Sequence, residues 1–278
     1  MDYEILSPVD DWIFKLLFGD ERRKSMLINL LKAFVALPDE EYELTYLDTH
    51  LKPETEEAKL GILDVKVRTK SGKVINIEIQ VNPEKDIGKR LSFYKSKLLV
   101  EQISEGEDYN VIHQVICICI TDYVLFPGIE PYLHDFRFYN PASRLYFEDI
   151  PEVIFTLELP KVPSQSDGSI LWDWMKFLRS RRKEEFEMVA SKNPEIRKAV
   201  DTLYELSADE DVRAVYEQRQ KAWRDRQSAI NSAMRDGILK GREEGREEGR
   251  EEGREEERRR FLELLDQGLS IDEIKRRF

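Results

Sequence analysis

Hydrophobic and polar residues alternate along two short stretches that a glycine separates. Apolar side chains occupy every second position from Leu63 to Val67 and again from Ile75 to Val81, with Gly72 between the two stretches. A period of two is typical of a half-buried strand, because successive side chains point to opposite faces. Glycine readily adopts the positive φ that a tight turn requires. The pattern therefore predicts a β-hairpin.

Helices and further strands are predicted around this hairpin. Apolar residues at helical spacing indicate a first helix over 12–18, a second over 22–37 and a third over about 87–106. The run 111–120 is apolar on both faces, which is typical of a strand at the centre of a sheet. Shorter strands are predicted at 42–47, 132–138 and 153–159. The fold class that follows is α/β, a mixed sheet flanked by helices.

The pattern becomes helical after Pro160. We divide the chain into an α/β core over 1–160, a helical extension over 161–240, a charged spacer over 241–258 and a terminal helix pair over 259–278. The spacer repeats Gly-Arg-Glu-Glu and has no apolar stripe. Each glycine costs a helix about 1 kcal/mol relative to alanine, and Glu–Arg pairs return only tenths of that. The spacer is therefore predicted to be solvated and at most marginally helical.

Apolar residues return in the terminal helix pair, and they are sufficient to bury one face against a second copy of the chain. A homo-oligomer formed through these C-terminal helices is the resulting hypothesis. No hydrophobic run approaches the length of a membrane-spanning helix, and the N-terminus shows no export signal. Cys117 and Cys119 are predicted to lie on one side of a buried strand as free thiols, which is typical of a reducing cytosol. These features indicate a cytoplasmic protein without a membrane partner.

The net charge of −12 argues against a general polyanion-binding protein. Locally the balance reverses, because nine Lys and Arg face three acidic residues between Lys66 and Lys97. A basic stretch beside carboxylates suits an anionic substrate such as a nucleic acid phosphodiester. The alternative is that these lysines belong to solvated strand edges and helix faces.

Asp64, Glu78 and Gln80 can all project from one face of the predicted hairpin. A lone charge beside apolar neighbours is costly, and a metal ion offsets that cost. Mg²⁺ held by carboxylates neutralises developing charge on a phosphate and makes hydroxide available near neutral pH. Gln80 could orient the attacking water or a phosphate oxygen, but an amide cannot act as a base. Their spacing alone more often indicates solvated residues on the surface of a strand than a functional site.

The D-(x13)-E-x-Q spacing on a hairpin resembles the core of the PD-(D/E)XK nucleases. The surrounding chain is similar to the Rpn group of recombination-promoting nucleases, which are often described as transposases. The segments that carry the resemblance are Asp11-Trp-Ile-Phe-Lys-Leu-Leu-Phe18, Leu63-Asp-Val-Lys-Val67, Asn76-Ile-Glu-Ile-Gln80, the helix with Arg90 and Tyr94, and the Gly-x-x-Glu repeats of the tail. Together they cover roughly residues 7–160 and, more loosely, the tail.

The resemblance implies a restriction-endonuclease-like core and a DNA endonuclease that depends on Mg²⁺ or Mn²⁺. Asp64 and Glu78 match the metal-binding acids, and Gln80 occupies the position that lysine usually holds. Asp11 fits the place of an acid on the first helix of such folds, and a plain charge at a helix N-terminus is the equal alternative.

Three hypotheses follow from these observations. The first is an endonuclease that acts on DNA in recombination, transposition or defence against mobile DNA. The second is a catalytically inactive relative that binds nucleic acid or a protein partner, which the replacement of lysine by Gln80 and the acidic net charge favour. The third is a self-associating structural protein, which the long helical arm favours.

Overall fold

The structure is a computed structural model that describes residues 4–51, 62–268, 271 and 274. The chain divides into two units, Met1–Arg213 and Ala214–Phe278. The first unit contains the sheet and all the residues singled out as site candidates.

A mixed six-stranded sheet forms the centre of the first unit. Its strands are β1 (Thr45–Tyr46), β2 (Val65–Arg68), β3 (Val74–Gln80), β4 (Val115–Thr121), β5 (Leu133–Phe136) and β8 (Glu152–Glu158). Their order in the sheet is β1-β2-β3-β4-β8-β5. The first three strands pair antiparallel, β3, β4 and β8 run parallel, and β5 closes the far edge antiparallel. A separate small hairpin consists of β6 (Tyr139–Asn140) and β7 (Leu145–Tyr146).

Strand β4 lies between β3 and β8, and all seven of its residues are buried. The prediction of a central strand in this region is confirmed, although the strand begins at Val115 rather than at 111. Cys117 and Cys119 are buried free thiols on β4, as predicted. Both pack beneath the third helix of the chain, with Tyr94 and Leu91 among their neighbours.

The predicted hairpin is present, and its turn depends on Gly72. This residue has φ +92°, a conformation that other residues rarely adopt. A Cβ atom on Gly72 would also lie 2.5 Å from a ring carbon of His113. Across the hairpin Val65 pairs with Ile77, so this register places the residue before β2 opposite Glu78.

Seven α-helices accompany the sheet in the described part of the chain. They are α1 (Asp11–Phe18), α2 (Lys24–Phe34), α3 (Ile87–Val100), α4 (Ile170–Arg179), α5 (Lys183–Ala190), α6 (Pro194–Ala208) and α7 (Glu210–Asp266). Short 3-10 turns occupy Glu21–Arg23, Asp39–Tyr42, Tyr109–Val111 and Leu159–Lys161. Within the described residues, no helix combines the length and apolar character needed to cross a membrane.

Helix α3 ends at Val100, six residues before the predicted end, because a side chain redirects the backbone. The amide nitrogen of Gln102 donates to the carbonyl oxygens of Leu98 and His113, and its oxygen accepts from the backbone N–H of His113. These bonds tie the end of the helix to the segment that leads into β4.

The helices that follow residue 160 pack against the N-terminal helices. Asn29 on α2 accepts hydrogen bonds from Trp174 Nε1 on α4 and from Asn193 Nδ2 at the start of α6, both at 2.9 Å. Trp174 is fully buried and meets Phe18 of α1 edge to face. The first part of the predicted helical extension is therefore continuous with the unit that holds the sheet.

The structure corrects the prediction for the Gly-Arg-Glu-Glu repeat. Residues 241–258 lie within the 57-residue helix α7 rather than in a marginally helical spacer. The repeat extends an existing helix, so it avoids the cost of nucleation, and arginine and glutamate are good helix formers. Helix α7 also covers the start of the predicted terminal pair, and a turn follows at Gln267–Gly268. Most of the second helix predicted there lies outside the described residues.

Candidate active site

Asp64 lies in a bend immediately before β2, with its side chain turned toward β3. Its Oδ2 atom accepts a hydrogen bond from the backbone N–H of Ile79 at 2.9 Å. Its own backbone N–H lies 3.4 Å from Oε1 of Glu78. The carboxylate is buried, with 7% of the residue exposed. The hairpin therefore presents Asp64 directly beside Glu78.

Glu78 is a nearly inaccessible carboxylate on a central strand, with 1% of the residue exposed. Its Oε1 atom accepts from Nδ2 of Asn76 at 3.2 Å. Its Oε2 atom has no hydrogen-bond partner among the described residues, and the guanidinium of Arg90 lies 3.9 Å away. A buried carboxylate oxygen without a donor is costly, so this atom is suited to accept a ligand.

Both carboxyl groups have raised pKa values. Burial raises the pKa of Glu78 to about 8, and the neighbouring charge of Asp64 adds to this effect. Burial also raises the pKa of Asp64, while the ammonium of Lys15 and the N–H of Ile79 oppose the increase. Two acids that share a buried site cannot both ionise cheaply. A bound cation would remove that penalty.

Gln80 and Asp11 complete the set of residues that the sequence singled out. Gln80 is the last residue of β3, buried, two positions after Glu78 and therefore on the same face of the strand. Asp11 is the first residue of α1. Its charge contributes to the raised pKa of Asp64, which places it within electrostatic range of the pair.

Lys15 joins this group, although no pattern in the sequence singled it out as a site residue. Its Nζ lies 3.1 Å from Oδ1 of Asp64. Lys15 lies on α1, one helical turn after Asp11, so both side chains share a face of that helix. Helix α1 and the hairpin are distant in sequence, and only the tertiary packing of α1 against β3 brings them together.

Arg90 approaches the site from α3. Its guanidinium donates to Glu84 Oε1 at 2.8 Å and to the hydroxyl of Tyr94 at 3.0 Å, and it lies 3.9 Å from Glu78 Oε2. The guanidinium also stacks over the Tyr94 ring, with 5.3 Å to the centroid. Arg90 is thus held beside the acids by several contacts.

Most of the basic stretch between Lys66 and Lys97 is neutralised by ion pairs. At least six of its nine cations pair with carboxylates in the described part of the chain. These six are Lys66, Lys70, Lys73, Lys89, Arg90 and Lys95. The positive charge that remains available to bind a polyanion is therefore smaller than the local excess of Lys and Arg in the sequence indicates.

The donor set fits a hard divalent cation that keeps much of its coordination for water and substrate. No group of three or more His, Cys, Asp and Glu side chains that could hold a metal occurs within the described ranges. Asp64 and Glu78 form a pair of oxygen donors, with an open Oε2 atom and the Gln80 amide on the same face. Mg²⁺ is usually bound by one or two carboxylates together with waters and phosphates, so the pair is compatible with such an ion.

The comparison with known families agrees with this arrangement. A family model described as PD-(D/E)XK nuclease family transposase matches residues 8–233, which include every candidate residue described above. No curated protein and no solved structure matches the chain significantly. The mixed six-stranded sheet flanked by helices, followed by a long C-terminal helix, is consistent with the fold of that family. The resemblance seen in the sequence is confirmed: the chain belongs to the PD-(D/E)XK nuclease family of transposases.

Proposed function

We propose that this protein is a divalent-metal-dependent DNA endonuclease that hydrolyses phosphodiester bonds during recombination, transposition or defence against mobile DNA. Membership of the family supports a nuclease or transposase type of function. The observation that carries the proposal is the adjacent burial of Asp64 and Glu78, with Oε2 of Glu78 lacking a hydrogen-bond partner among the described residues. Two buried carboxylates with raised pKa values are an unfavourable arrangement for stability alone.

Asp64 and Glu78 would hold Mg²⁺ or Mn²⁺, as expected from their oxygen donors. The ion supplies positive charge at the scissile phosphate and lowers the pKa of water. The hydrogen bond from the N–H of Ile79 would keep the Asp64 carboxylate in place as a ligand of that ion. Gln80 would orient the attacking water or a phosphate oxygen through its amide. Arg90 would hold a phosphate oxygen near Glu78.

The test is cleavage of supercoiled plasmid DNA by the purified full-length protein with Mg²⁺, Mn²⁺ or EDTA. The wild type is expected to nick and linearise the plasmid only with metal. Asp64→Asn and Glu78→Gln should be inactive. Gln80→Ala should lose about tenfold, because it removes one neutral hydrogen bond rather than a charge.

Asp39→Asn is the matched control, because this acid also pairs with a lysine, Lys32, but at the surface. It should cleave like the wild type. Metal-dependent nicking by Asp64→Asn would show that the activity comes from elsewhere or from a contaminant. A folded wild type that binds DNA with metal but never cleaves would favour the alternative, an inactive nuclease fold that binds nucleic acid.

We also propose that the C-terminal helices mediate self-association. Apolar side chains such as Trp223, Ile230 and Met234 are exposed on α7, and the described residues contain no buried side chain within that helix. A long helix that buries nothing gains stability when a partner covers its apolar positions. Light scattering of the full chain tests this, and a monomeric mass would contradict the proposal.

A further inference from the structure

Helix α1 places an ammonium group inside the candidate site. The Nζ of Lys15 lies 3.1 Å from Oδ1 of Asp64, and Asp64 is the ion-pair partner that the described residues provide for it. The Lys15 side chain is 30% exposed whereas that of Asp64 is 7% exposed. The ammonium therefore sits between the buried carboxylate and the solvent from which a substrate would approach.

The strand that carries Glu78 offers no such charge. Position 80, two residues later on the same face, is glutamine, which can form hydrogen bonds but cannot offset the negative charge of a phosphate. The other cation beside the two acids, Arg90, is held by Glu84 and Tyr94. Lys15 is the cation that a change at Asp64 would release.

We propose that Lys15, reaching from α1, supplies the positive charge that Gln80 cannot, and that its ammonium binds a non-bridging oxygen of the scissile phosphate. This proposal rests on the proposed nuclease function. Once Asp64 gives its charge to a divalent ion, its attraction for Lys15 is weakened. A lysine ammonium on a flexible four-carbon stem can then turn to the phosphate within the same site.

The role is electrostatic and involves no proton transfer by Lys15. In the hydrolysis the water oxygen bonds to phosphorus, the bond from phosphorus to the leaving sugar oxygen breaks, and one water proton ends on that oxygen. Negative charge on the phosphate oxygens is highest in the transition state between these bond changes. A pre-positioned cation in a site with little water stabilises that charge, and losing such a contact costs about 100-fold in rate.

The competing explanation is that Lys15 only neutralises Asp64 in the metal-free protein. A buried carboxylate needs a partner, and a counter-ion alone would become dispensable when metal binds. In the presence of metal, loss of Lys15 should weaken DNA binding and cleavage only if Lys15 contacts the phosphate. Both quantities are therefore measured with metal bound.

The experiment compares Lys15→Met, Lys15→Arg and the double variant Lys15→Met with Gln80→Lys in the full chain. Methionine keeps most of the aliphatic stem and removes the charge. Lys24→Met is the matched control, because Lys24 is also 30% exposed and pairs with an acid, Glu21, but lies on α2. Cleavage of plasmid is measured at saturating Mg²⁺. Affinity for a short DNA duplex is measured with Ca²⁺, a hard cation bound by oxygen ligands, and with EDTA.

Lys15→Met is expected to cleave about 100-fold more slowly and to bind DNA about tenfold more weakly with Ca²⁺. With EDTA its DNA affinity should match that of the wild type, because Lys15 is then engaged by Asp64. Lys15→Arg should retain part of the cleavage, and the double variant should regain at least about tenfold over Lys15→Met, since the charge returns on β3. Lys24→Met should change neither quantity.

Wild-type cleavage and wild-type Ca²⁺-dependent DNA affinity in Lys15→Met would overturn the proposal and leave the nuclease function intact. The reverse result is distinguishable. A wild type that never cleaves, with Ca²⁺-dependent DNA binding that Lys15→Met weakens, would refute the nuclease function but keep the phosphate contact. A Lys15→Met protein that does not fold would be replaced by Lys15→Gln, to which the same two outcomes apply.

Discussion

The backbone N–H of Ile79 donates a hydrogen bond to Oδ2 of Asp64 at 2.9 Å, so the strand that carries Glu78 also fixes the position of its partner acid. Together with the longer hydrogen bond from the N–H of Asp64 to Oε1 of Glu78, it joins the two halves of the candidate site. It also determines which substitutions test the chemistry without disturbing the fold.

Asp64→Asn is expected to reduce metal-dependent cleavage by at least about 100-fold while preserving the fold. The asparagine carbonyl oxygen can still accept from Ile79, whereas Asp64→Ala leaves that N–H without an acceptor at a cost of about 1–3 kcal/mol. Plasmid nicking and thermal melting followed by circular dichroism check this. A melting temperature far below that of the wild type would mean that the lost activity reports unfolding.

The raised pKa of Glu78 makes metal binding depend on pH. Between the ordinary value of 4.5 and the folded value of about 8, the folded protein holds a proton that the unfolded chain has lost. The stability of the metal-free protein that comes from this group therefore falls as pH rises through this window. A metal ion requires the ionised carboxylate, so affinity for Mg²⁺ or Mn²⁺ should increase from about pH 6 to about pH 8.5.

Calorimetric titration at several pH values measures that affinity, and repeating it in buffers of different ionisation enthalpy counts the protons released. Glu78→Gln provides the control, because its metal-free stability should lose the dependence on pH across the same window. An affinity for metal that is independent of pH would show that Glu78 is already ionised.

The contact between Trp174 and Asn29 predicts that a substitution outside the candidate site lowers the free energy of unfolding. Trp174→Phe removes the hydrogen bond to Asn29 Oδ1 and leaves unfilled space in a fully buried position. The free energy of unfolding should fall by about 1–3 kcal/mol, as measured by urea denaturation. Tyr109→Phe is the control, because that aromatic side chain is 82% exposed, and it should change little. An equal loss for both variants would contradict the structural role of the contact.

The glycines of the Gly-Arg-Glu-Glu repeat predict an effect of opposite sign. A Cβ atom at Gly241, Gly245, Gly249 or Gly253 meets nothing within 4 Å among the described residues. Replacing all four with alanine should stabilise the helix by up to about 1 kcal/mol per site and slow hydrogen exchange across 241–258. Plasmid cleavage should stay unchanged. Faster exchange, or a loss of cleavage, would show that the glycines serve a close contact.

The local pattern is sufficient to predict the hairpin, the central strand and the position of Asp64 beside Glu78. These features depend on the period of two along the chain and on a turn that needs Gly72, so short stretches of sequence determine them. The early end of α3 depends instead on Gln102 bonding to His113. The hydrophobic periodicity of a sequence cannot predict a hydrogen bond from a side chain to the backbone of another segment.

Lys15 could not be assigned from the sequence for a related reason. Its position on α1 is consistent with an ordinary surface lysine, and only the packing of α1 on β3 brings it to Asp64. The repeat in α7 is helical, contrary to the prediction, because the segment does not have to nucleate a helix of its own. It continues a helix that begins at Glu210, so only the propagation cost applies.

The bonds from Asn29 to Trp174 and Asn193 have a consequence for the order in which the protein matures during translation. Asn29 leaves the ribosome long before its donors, which lie 145 and 164 residues later in the chain. Helix α1, which contacts α6, therefore lacks part of its support until α6 has been synthesised. The hairpin acids would emerge early, whereas Lys15 would reach its final position late. Ribosome-bound chains that end before and after Ala208 should accordingly differ in protease resistance at α1, because the candidate site is complete only after α6 has been synthesised.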